Sequence, residues 1–413
     1  MDTLLQNVTI REDGTIDLNE LMRKLAESFI NNLMDVQVDE LYGGVTPRNG
    51  YRERTLNTMV GPIVLRIPKL REGTYFPSDV IRPYSRTDRA LISAIAEMYI
   101  NGVSTRRVEK VAAEMGFEQL SSSQVSRMCA TLDEEVVGLR SARFSGMRFP
   151  YLWLDATYIK CRTNGHVANQ AVVTAIAAGE DGSRQVVGLD VVDVESYASW
   201  KPFLLDLRRR GIDGVCCVTS DAHDGLVRAI QEVFPGAAWQ RCIVHFERNL
   251  ADLTSGKAQK AKVLAASKAV FRESDPAMVR ETYRQAVSEL EGICPKAARA
   301  MEDAEPDVLA YLDFPQVHRL WLRTNNIQER ANREIKRRTK VVQSFPSEES
   351  MVRLVGAVLV EVNEEWLASN FIDKRSLQGV LKREQVRDVV SEEVRVKAIT
   401  LIKSAIEAAG RAA

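Results

Sequence analysis

Three acidic residues stand where a carboxylate needs a reason to be. Asp155 interrupts the apolar run YLWLDATYI, where an ionised carboxylate is costly to bury without a cation beside it. Asp221 closes the run GVCCVTSD just ahead of a helical stretch, and in α/β sheets ligands and catalytic groups collect at such strand ends. Glu329 lies in NNIQERANREIKRRTK. Acids on two strands and a helix can converge on hard divalent cations, which take oxygen ligands and in phosphoryl transfer often work as a pair about 4 Å apart. Each acid also has a plainer reading. Asp221 could cap the following helix, as neighbouring Asp224 can, and Glu329 could pair with Arg333 one helical turn on. Glu334 is the rival third acid: five residues from Glu329 is roughly 140° around a helix, so the two cannot face one metal. Asn332, Arg333, Lys336 and Lys340 share the Glu329 side.

That helix is the most basic part of the chain. Lys plus Arg (56) equals Asp plus Glu (56), so net charge says nothing about nucleic acid and only its distribution can. Between Arg323 and Lys340 seven basic residues stand against two acidic ones, a net +5 over eighteen positions. A carboxylate amid so many cations suits a metal site pressed against a phosphate backbone, with Arg330, Arg333, Lys336, Arg337 and Arg338 holding the DNA.

Other residues invite chemistry less directly. Cys242 and His245 are spaced i, i+3 and look like half of a zinc site, but no second pair completes it. Zinc is therefore not expected, and a packing or site-bracing role is. The remaining cysteines (129, 161, 216, 217 and 294) form no regular framework, so reduced thiols are expected. His223, two residues after Asp221, is placed either to touch the site or a phosphate or simply to start a helix at the surface. Trp321 could stack on an unpaired base or serve as a core aromatic.

The elements that must position these residues follow from periodicity. Leu18, Leu21, Met22, Leu25, Phe29 and Leu33 recur at helical spacing from Asp17 to about Tyr42, ahead of the turn-forming GGVTPRNG. RTLNTMVGPIVLRIPKL reads as two short basic strands around Gly61 and Pro62. Residues 88–140 are helical. Ser104 can start a helix to about Met115, Gly116 breaks it, and the serines at 121–123 can cap a second helix carrying Gln124, Ser126 and Arg127. The pair makes a helix-turn-helix-like unit with Arg106, Arg107, Gln124 and Arg127 as DNA contacts, or else part of a plain helical bundle.

From about residue 150 the period shortens to that of strands. YLWLDATYIK, QAVVTAIAAG and RQVVGLDVVDV predict three antiparallel strands. A helix over 200–210, the strand GVCCVTSD, a helix from Asp224 to Phe234 and a short strand near AWQRCIVH complete an α/β layer. Residues 247–320 turn wholly helical before the basic helix, like an insertion. Met351, Leu354, Val355, Val358, Val362 and Trp366 then mark one apolar helical face, and the charged tail after about Lys374 is helical or loosely ordered.

At 413 residues, 45% hydrophobic and 27% charged, the chain has the make-up of a folded protein with two or three cores and not of a disordered or collagenous one. Its start, MDTLLQNVTIRED, is acidic where a secretory signal would be basic, and no stretch approaches the ~18 uninterrupted apolar residues of a membrane span. A cytoplasmic protein without membrane contact is expected.

Three blocks together resemble a known family. YLWLDATYIKCR, then VTSDAHDGL with FPGAAWQRCIVHFERNL, then NNIQERANREIKRRTKVV are similar to the mutator-type transposases of bacterial insertion sequences, in the order acid on a strand, acid at a strand end, Cys-x-x-His, helical insertion, and Asn-x-x-Glu on a basic helix. The likeness extends to RNGYRERTL and IPKLREGTYFP upstream and MVRLVGAVL downstream, covering about residues 45–366. One departure is visible: the usual Ala-Ile-Glu of the third block is Ile327, Gln328, Glu329 here.

The resemblance implies an α/β fold with a ribonuclease H-like catalytic core, an all-α insertion and a helical DNA-binding region. The corresponding division is 1–85 (helix and basic β segment), 86–145 (helix-turn-helix-like), 149–246 (first part of the core), 247–322 (insertion), 323–345 (the Glu helix) and 346–413 (C-terminal helices). It implies an Asp, Asp, Glu triad at Asp155, Asp221 and Glu329 that uses Mg²⁺ or Mn²⁺, as two ions, to cut DNA at terminal inverted repeats and join the ends to target DNA. Two element ends must be handled together, so a homodimer or larger assembly on double-stranded DNA is expected. Two other functions stay open on the residues alone: a helix-turn-helix regulator without catalysis, and a metal-dependent nuclease that cuts but does not join.

Overall fold

The computed structural model describes residues 16–41, 48–71, 75–77, 89–114, 121–163, 165–381 and 391–412. The expected turn at Gly116 and the start of the chain lie outside them. The chain divides into two compact units, one comprising residues 1–133 with 340–342 and the other comprising the rest.

In the first unit, helix α1 (Leu18–Leu41) lies along a hairpin of β1 (Arg48–Thr58) and β2 (Gly61–Leu70). Met34 of the helix and Leu56, Ile63, Leu65 and Ile67 of the strands form its small core. Helices α2 (Arg89–Ile100), α3 (Thr105–Glu114) and α4 (Ser122–Met128) pack on one another. As the serine run predicts, α4 opens with a capping box in which Ser121 and Gln124 exchange side-chain and backbone bonds.

The second unit is built on a five-stranded mixed sheet in the order β5-β4-β3-β6-β7. Its strands are β3 (Tyr151–Thr163), β4 (His166–Ala178), β5 (Arg184–Val192), β6 (Cys217–Ser220) and β7 (Ala238–Arg241). The first three form an antiparallel meander, and β6 and β7 continue it in parallel with β3. Between β4 and β5 the chain turns at Gly182, whose φ of +87° suits glycine and whose position leaves no room for a Cβ beside the Ile372 carbonyl. The apolar strand runs are long because both sheet faces are covered.

Even-numbered β3 residues Leu152 and Leu154, with Val173, Ala175 and Val218, meet Trp200, Phe203, Leu204 and Ile230 of α6 (Tyr197–Arg209) and α7 (Asp224–Val233). Odd-numbered Tyr151 and Trp153 face the other way, toward Phe314, His318 and Phe371. That second face carries α13 (Asn326–Thr339) and α14 (Glu348–Leu367), and these are the basic helix and the apolar helix of the sequence.

Between β7 and α13 run helices α8 (Ile243–Asp252), α9 (Lys257–Arg272), α10 (Pro276–Glu291), α11 (Pro295–Val308) and α12 (Gln316–Leu322), so the expected insertion is helical. Asp275 caps α10 through the Met278 amide and Pro276 occupies its first turn. Two other helices gain partners that the sequence does not reveal. Helix α5 (Asp133–Ser141) joins the sheet unit, with Val136 against Gly356 of α14 and Arg140 paired to Asp190 of β5 at 2.7 Å. After α15 (Lys374–Leu381), the last helix, α16 (Glu392–Ala412), packs on α9 and α10 of the insertion.

His318 ties β3 to α15. It is fully buried, with its ring nitrogens hydrogen-bonded to the Tyr151 hydroxyl and to Ser376 Oγ, each at 2.7 Å. Burial pulls its pKa down to about 4. Below the unfolded value of about 6.5 the unfolded chain therefore binds a proton that the folded chain refuses. This contribution is complete above pH 6.5 and is lost as pH falls toward 4, up to about 3 kcal/mol. In urea melts between pH 4 and 7 wild type should lose this stability relative to a His318→Gln variant as pH falls; an equal pH slope in both proteins would contradict this account.

Candidate active site

Parallel pairing sets the first two acids side by side. Trp153 of β3 is registered with Thr219 of β6, so Asp155, inside β3, and Asp221, just past the end of β6, each lie two positions further on, level with each other on neighbouring chain segments. Adjacent strands run about 4.8 Å apart. Asp155 is half-buried and its carboxyl is pushed up to about 7, first by burial and then by the negative charges of Asp221 and Glu195, with Lys336 opposing. The site is short of positive charge where its two aspartates meet.

Helix α13 closes over this part of the sheet and is fastened there by buried amides. Asn325, just before the helix, donates from Nδ2 to the Leu154 carbonyl at 3.0 Å. Gln328, with no exposed surface, donates from Nε2 to the carbonyls of Trp153 (2.7 Å) and Thr174 (3.1 Å) and accepts from Thr174 Oγ1 at 2.9 Å. Trp153 and Thr174 belong to adjacent strands, so one side chain pins the helix to both. Asn332, one turn further, donates from Nδ2 to Asp155 Oδ2 at 2.6 Å. Its Oδ1 is buried and has no hydrogen-bond partner among the described residues.

Glu329 sits in the first turn of α13 between Gln328 and Asn332, half-buried. Its charge is felt at Cys242, whose thiol is raised mainly by burial. Among the described residues no three Asp, Glu, His or Cys side chains are gathered into one group that could hold a metal ion. The structure thus sets the two aspartates on neighbouring chain segments of the sheet and Glu329 on α13, three residues before the Asn332 that bonds Asp155, without closing the three into a cluster.

Cys242 has a bracing position. Its amide donates to the Ser220 carbonyl at 2.8 Å, next to Asp221, and its sulfur accepts from the Asn325 amide at 3.3 Å. It therefore links the strand end that carries Asp221 to the root of the Glu329 helix. His245 lies on α8 with Nδ1 buried and without a partner among the described residues. His223 stands at the N-terminal cap position of α7 and makes no side-chain capping bond.

The cations divide by their surroundings. Arg333 and Lys336 are exposed on α13. Arg330 is exposed and paired with Glu365 at 2.7 Å, and Arg337 forms a two-pronged pair with Glu334. Glu334 thereby has a surface ion-pairing role. Arg338 departs from the expectation of DNA contact: it is buried, with its guanidinium forked onto Glu361. Seven residues separate it from buried Ala331, which places it within about 20° of the helix's inner face. Arg106, Arg107 and Arg127 are exposed on the helices of the first unit, while the Gln124 amide is engaged in the α4 cap. The Trp321 ring is partly exposed and leans on Phe371 at 4.8 Å, and its carbonyl accepts from Trp153 Nε1.

Sequence reasoning passed over Gln328 as a determinant of geometry. A signal was present, because Gln328 is seven residues from buried Ile335 and so lies on the same helix face. It also passed over Glu195, a further acid near Asp155 that hydrogen-bonds Tyr158 and raises its hydroxyl, already pushed up by burial, to about 12.

Comparison with known proteins places these residues in context. The family model described as "Transposase, Mutator family" matches residues 2–369. The chain is 39% identical over 359 residues to the transposase for insertion sequence element IS1081 of Mycobacterium tuberculosis, covering 84% of this chain and 86% of that one. It is 37% identical over 374 residues to the transposase for ISRM5 of Rhizobium meliloti, covering 89% and 92%. It is 35% identical over 325 residues to the transposase for IS256 in transposon Tn4001 of Staphylococcus aureus, covering 78% and 83%.

The fastening of α13 makes a direct prediction. Gln328→Ala would orphan the buried carbonyls of Trp153 and Thr174, and losses of this kind cost about 2–4 kcal/mol in total. Chemical denaturation should register that loss. A change below about 0.5 kcal/mol would show that α13 is held by something else.

Proposed function

This chain belongs to the Mutator family of transposases and is a DNA transposase, and from that premise we propose that Asp155, Asp221 and Glu329 form its catalytic acid set. The observation that carries the proposal is the parallel register that sets Asp155, inside β3, level with Asp221, just past the end of β6, together with the Asn332–Asp155 bond that holds the Glu329 helix against the first of them. A mixed sheet with helices on both faces is consistent with the ribonuclease H-like core that the sequence resemblance implies. The reaction we assign is divalent-metal-dependent cleavage at the element's terminal inverted repeats, followed by joining to target DNA.

The donors present fit a hard cation. They are oxygen-only, the aspartates repel each other in the absence of positive charge, and the unpartnered Asn332 Oδ1 adds a neutral acceptor beside Asp155. When bound, Mg²⁺ or Mn²⁺ ions, two in our reading, would supply activation of the attacking hydroxyl and neutralisation of the leaving oxygen. The chain's own contribution is orientation. Asn332 fixes the Asp155 carboxylate, Cys242 and Asn325 hold the Asp221 strand end to the helix, and Gln328 keeps Glu329 in register above the sheet. Zinc has no part in this reading.

DNA contact falls to the exposed cations. Arg333 and Lys336, on the Glu329 side of α13, would take phosphates at the site, with Arg330 and Arg337 joining by exchanging their present carboxylate partners. Helices α3 and α4 are proposed to read the element ends in helix-turn-helix fashion through Arg106, Arg107 and Arg127. Two ends are processed in one event, so the working form is a homodimer or larger.

Nicking of labelled element-end DNA in the presence of Mg²⁺ tests the acid set. Asp155→Asn, Asp221→Asn and Glu329→Gln should each reduce nicking and joining by on the order of a thousandfold or more while leaving end binding and melting temperature near wild type. Glu334→Gln, which disturbs only ion pairs with Arg337 and Arg338, should stay active. A dead Glu334→Gln beside an active Glu329→Gln would reassign the third acid.

A further inference from the structure

Helix α1 has two apolar faces and the fold uses one of them. On the inner face Met34 and Val38 are buried. The same side serves the backbone of β2: Glu27 accepts from the Val64 amide at 3.0 Å, Asn31 bonds Val64 O at 2.9 Å and the Arg66 amide at 2.7 Å, and Arg23 reaches Pro62 O at 3.4 Å. On the opposite side a second stripe stands in solvent. Leu18 is 66% exposed, Met22 52%, Phe29 69% and Val36 52%, with Leu25 and Leu33 also exposed.

The spacing along this stripe is 4, 3, 4, 4 and 3 residues, close to the repeat by which two helices pair along a seam. It runs over about 27 Å. Such a stripe exposes on the order of several hundred Å² of apolar surface, which on a soluble protein marks an interaction site. Two copies together approach the ~1,200 Å² at the lower end of specific interfaces.

We propose that this face is where a second copy of the chain docks, α1 against α1 in antiparallel fashion about a two-fold axis near Glu27. The stripe is close to palindromic about that residue. Antiparallel pairing sets Leu18 against Val36, Met22 against Leu33 and Leu25 against Phe29, so each copy offers the other the complement of its own surface, as an isologous contact requires. Charge selects the direction. Asp39 and Glu40 are exposed at the C-terminal end, while Glu20 and Lys24 pair in the N-terminal half. A parallel pair would set two acids on two acids; an antiparallel pair keeps them at opposite ends. The inference rests on the proposed function only for the reason that two copies are needed; the surface is argued from the helix itself.

Sedimentation of the full chain without DNA reads the outcome. Wild type should be a dimer at micromolar concentration. The double variant Leu25→Glu, Phe29→Glu should be a monomer with unchanged circular dichroism and melting temperature, because the inner face is untouched. Cysteine pairs should then report direction: oxidation should cross-link Leu18→Cys to Val36→Cys between copies in preference to Leu18→Cys with itself. A monomeric wild type, a variant of unchanged mass, or a variant that loses helix without changing mass would each overturn the proposal, the last by showing that the chain covers its own stripe. Mg²⁺-dependent nicking by wild type, measured in parallel, reports separately on the transposase chemistry.

Discussion

The site depends on a few buried side-chain amides that bind a helix to a sheet. In the middle of β3 and β4 the carbonyls of Trp153, Leu154 and Thr174 accept from the side chains of Gln328 and Asn325. Buried polar groups in this setting must be satisfied, and the fixed geometry of an amide leaves little freedom in how. The axial position and rotation of α13 are therefore set where it begins. The positions of Glu329, Asn332, Arg333 and Lys336 follow from that, at helical intervals from one fixed point.

The second constraint is electrostatic. Parallel register places two aspartates on adjacent strands, and burial together with mutual repulsion drives Asp155 toward neutrality. The exposed side of α13 carries cations that suit a polyanion, while at Asp155 only Lys336 opposes burial and the neighbouring acids. An arrangement that is unfavourable alone becomes favourable when cations and phosphates enter together. Cys242, which sequence spacing suggests as a metal ligand, spends its sulfur on the Asn325 amide and so acts within the same fastening.

Much of this was legible in the sequence because it follows from period and chain order. Apolar runs broken by Gly182 gave the meander, Asp275–Pro276 and the serine run gave helix starts, and an acid inside YLWLDATYI was conspicuous against its neighbours. The illegible parts are those that need a partner's identity. A glutamine in a helix of cations reads as surface until Trp153 and Thr174 are known to face it. Arg338 reads as one more DNA-facing cation until Glu361 is found opposite, and the charged tail that contains α16 reads as helical or loosely ordered until the insertion helices are found to hold it. Glu195 reaches Asp155 through a loop, and loops have no period to read.

The most direct test of the account is the location of bound metal. Crystals of the full chain soaked in Mn²⁺ and measured at the manganese absorption edge should give anomalous density within bonding distance of the Asp155 and Asp221 carboxylates, with Glu329 drawn toward it, and this density should vanish in Asp155→Asn. Manganese density at Glu334 or at Cys242 and His245, with none between the two aspartates, would contradict it.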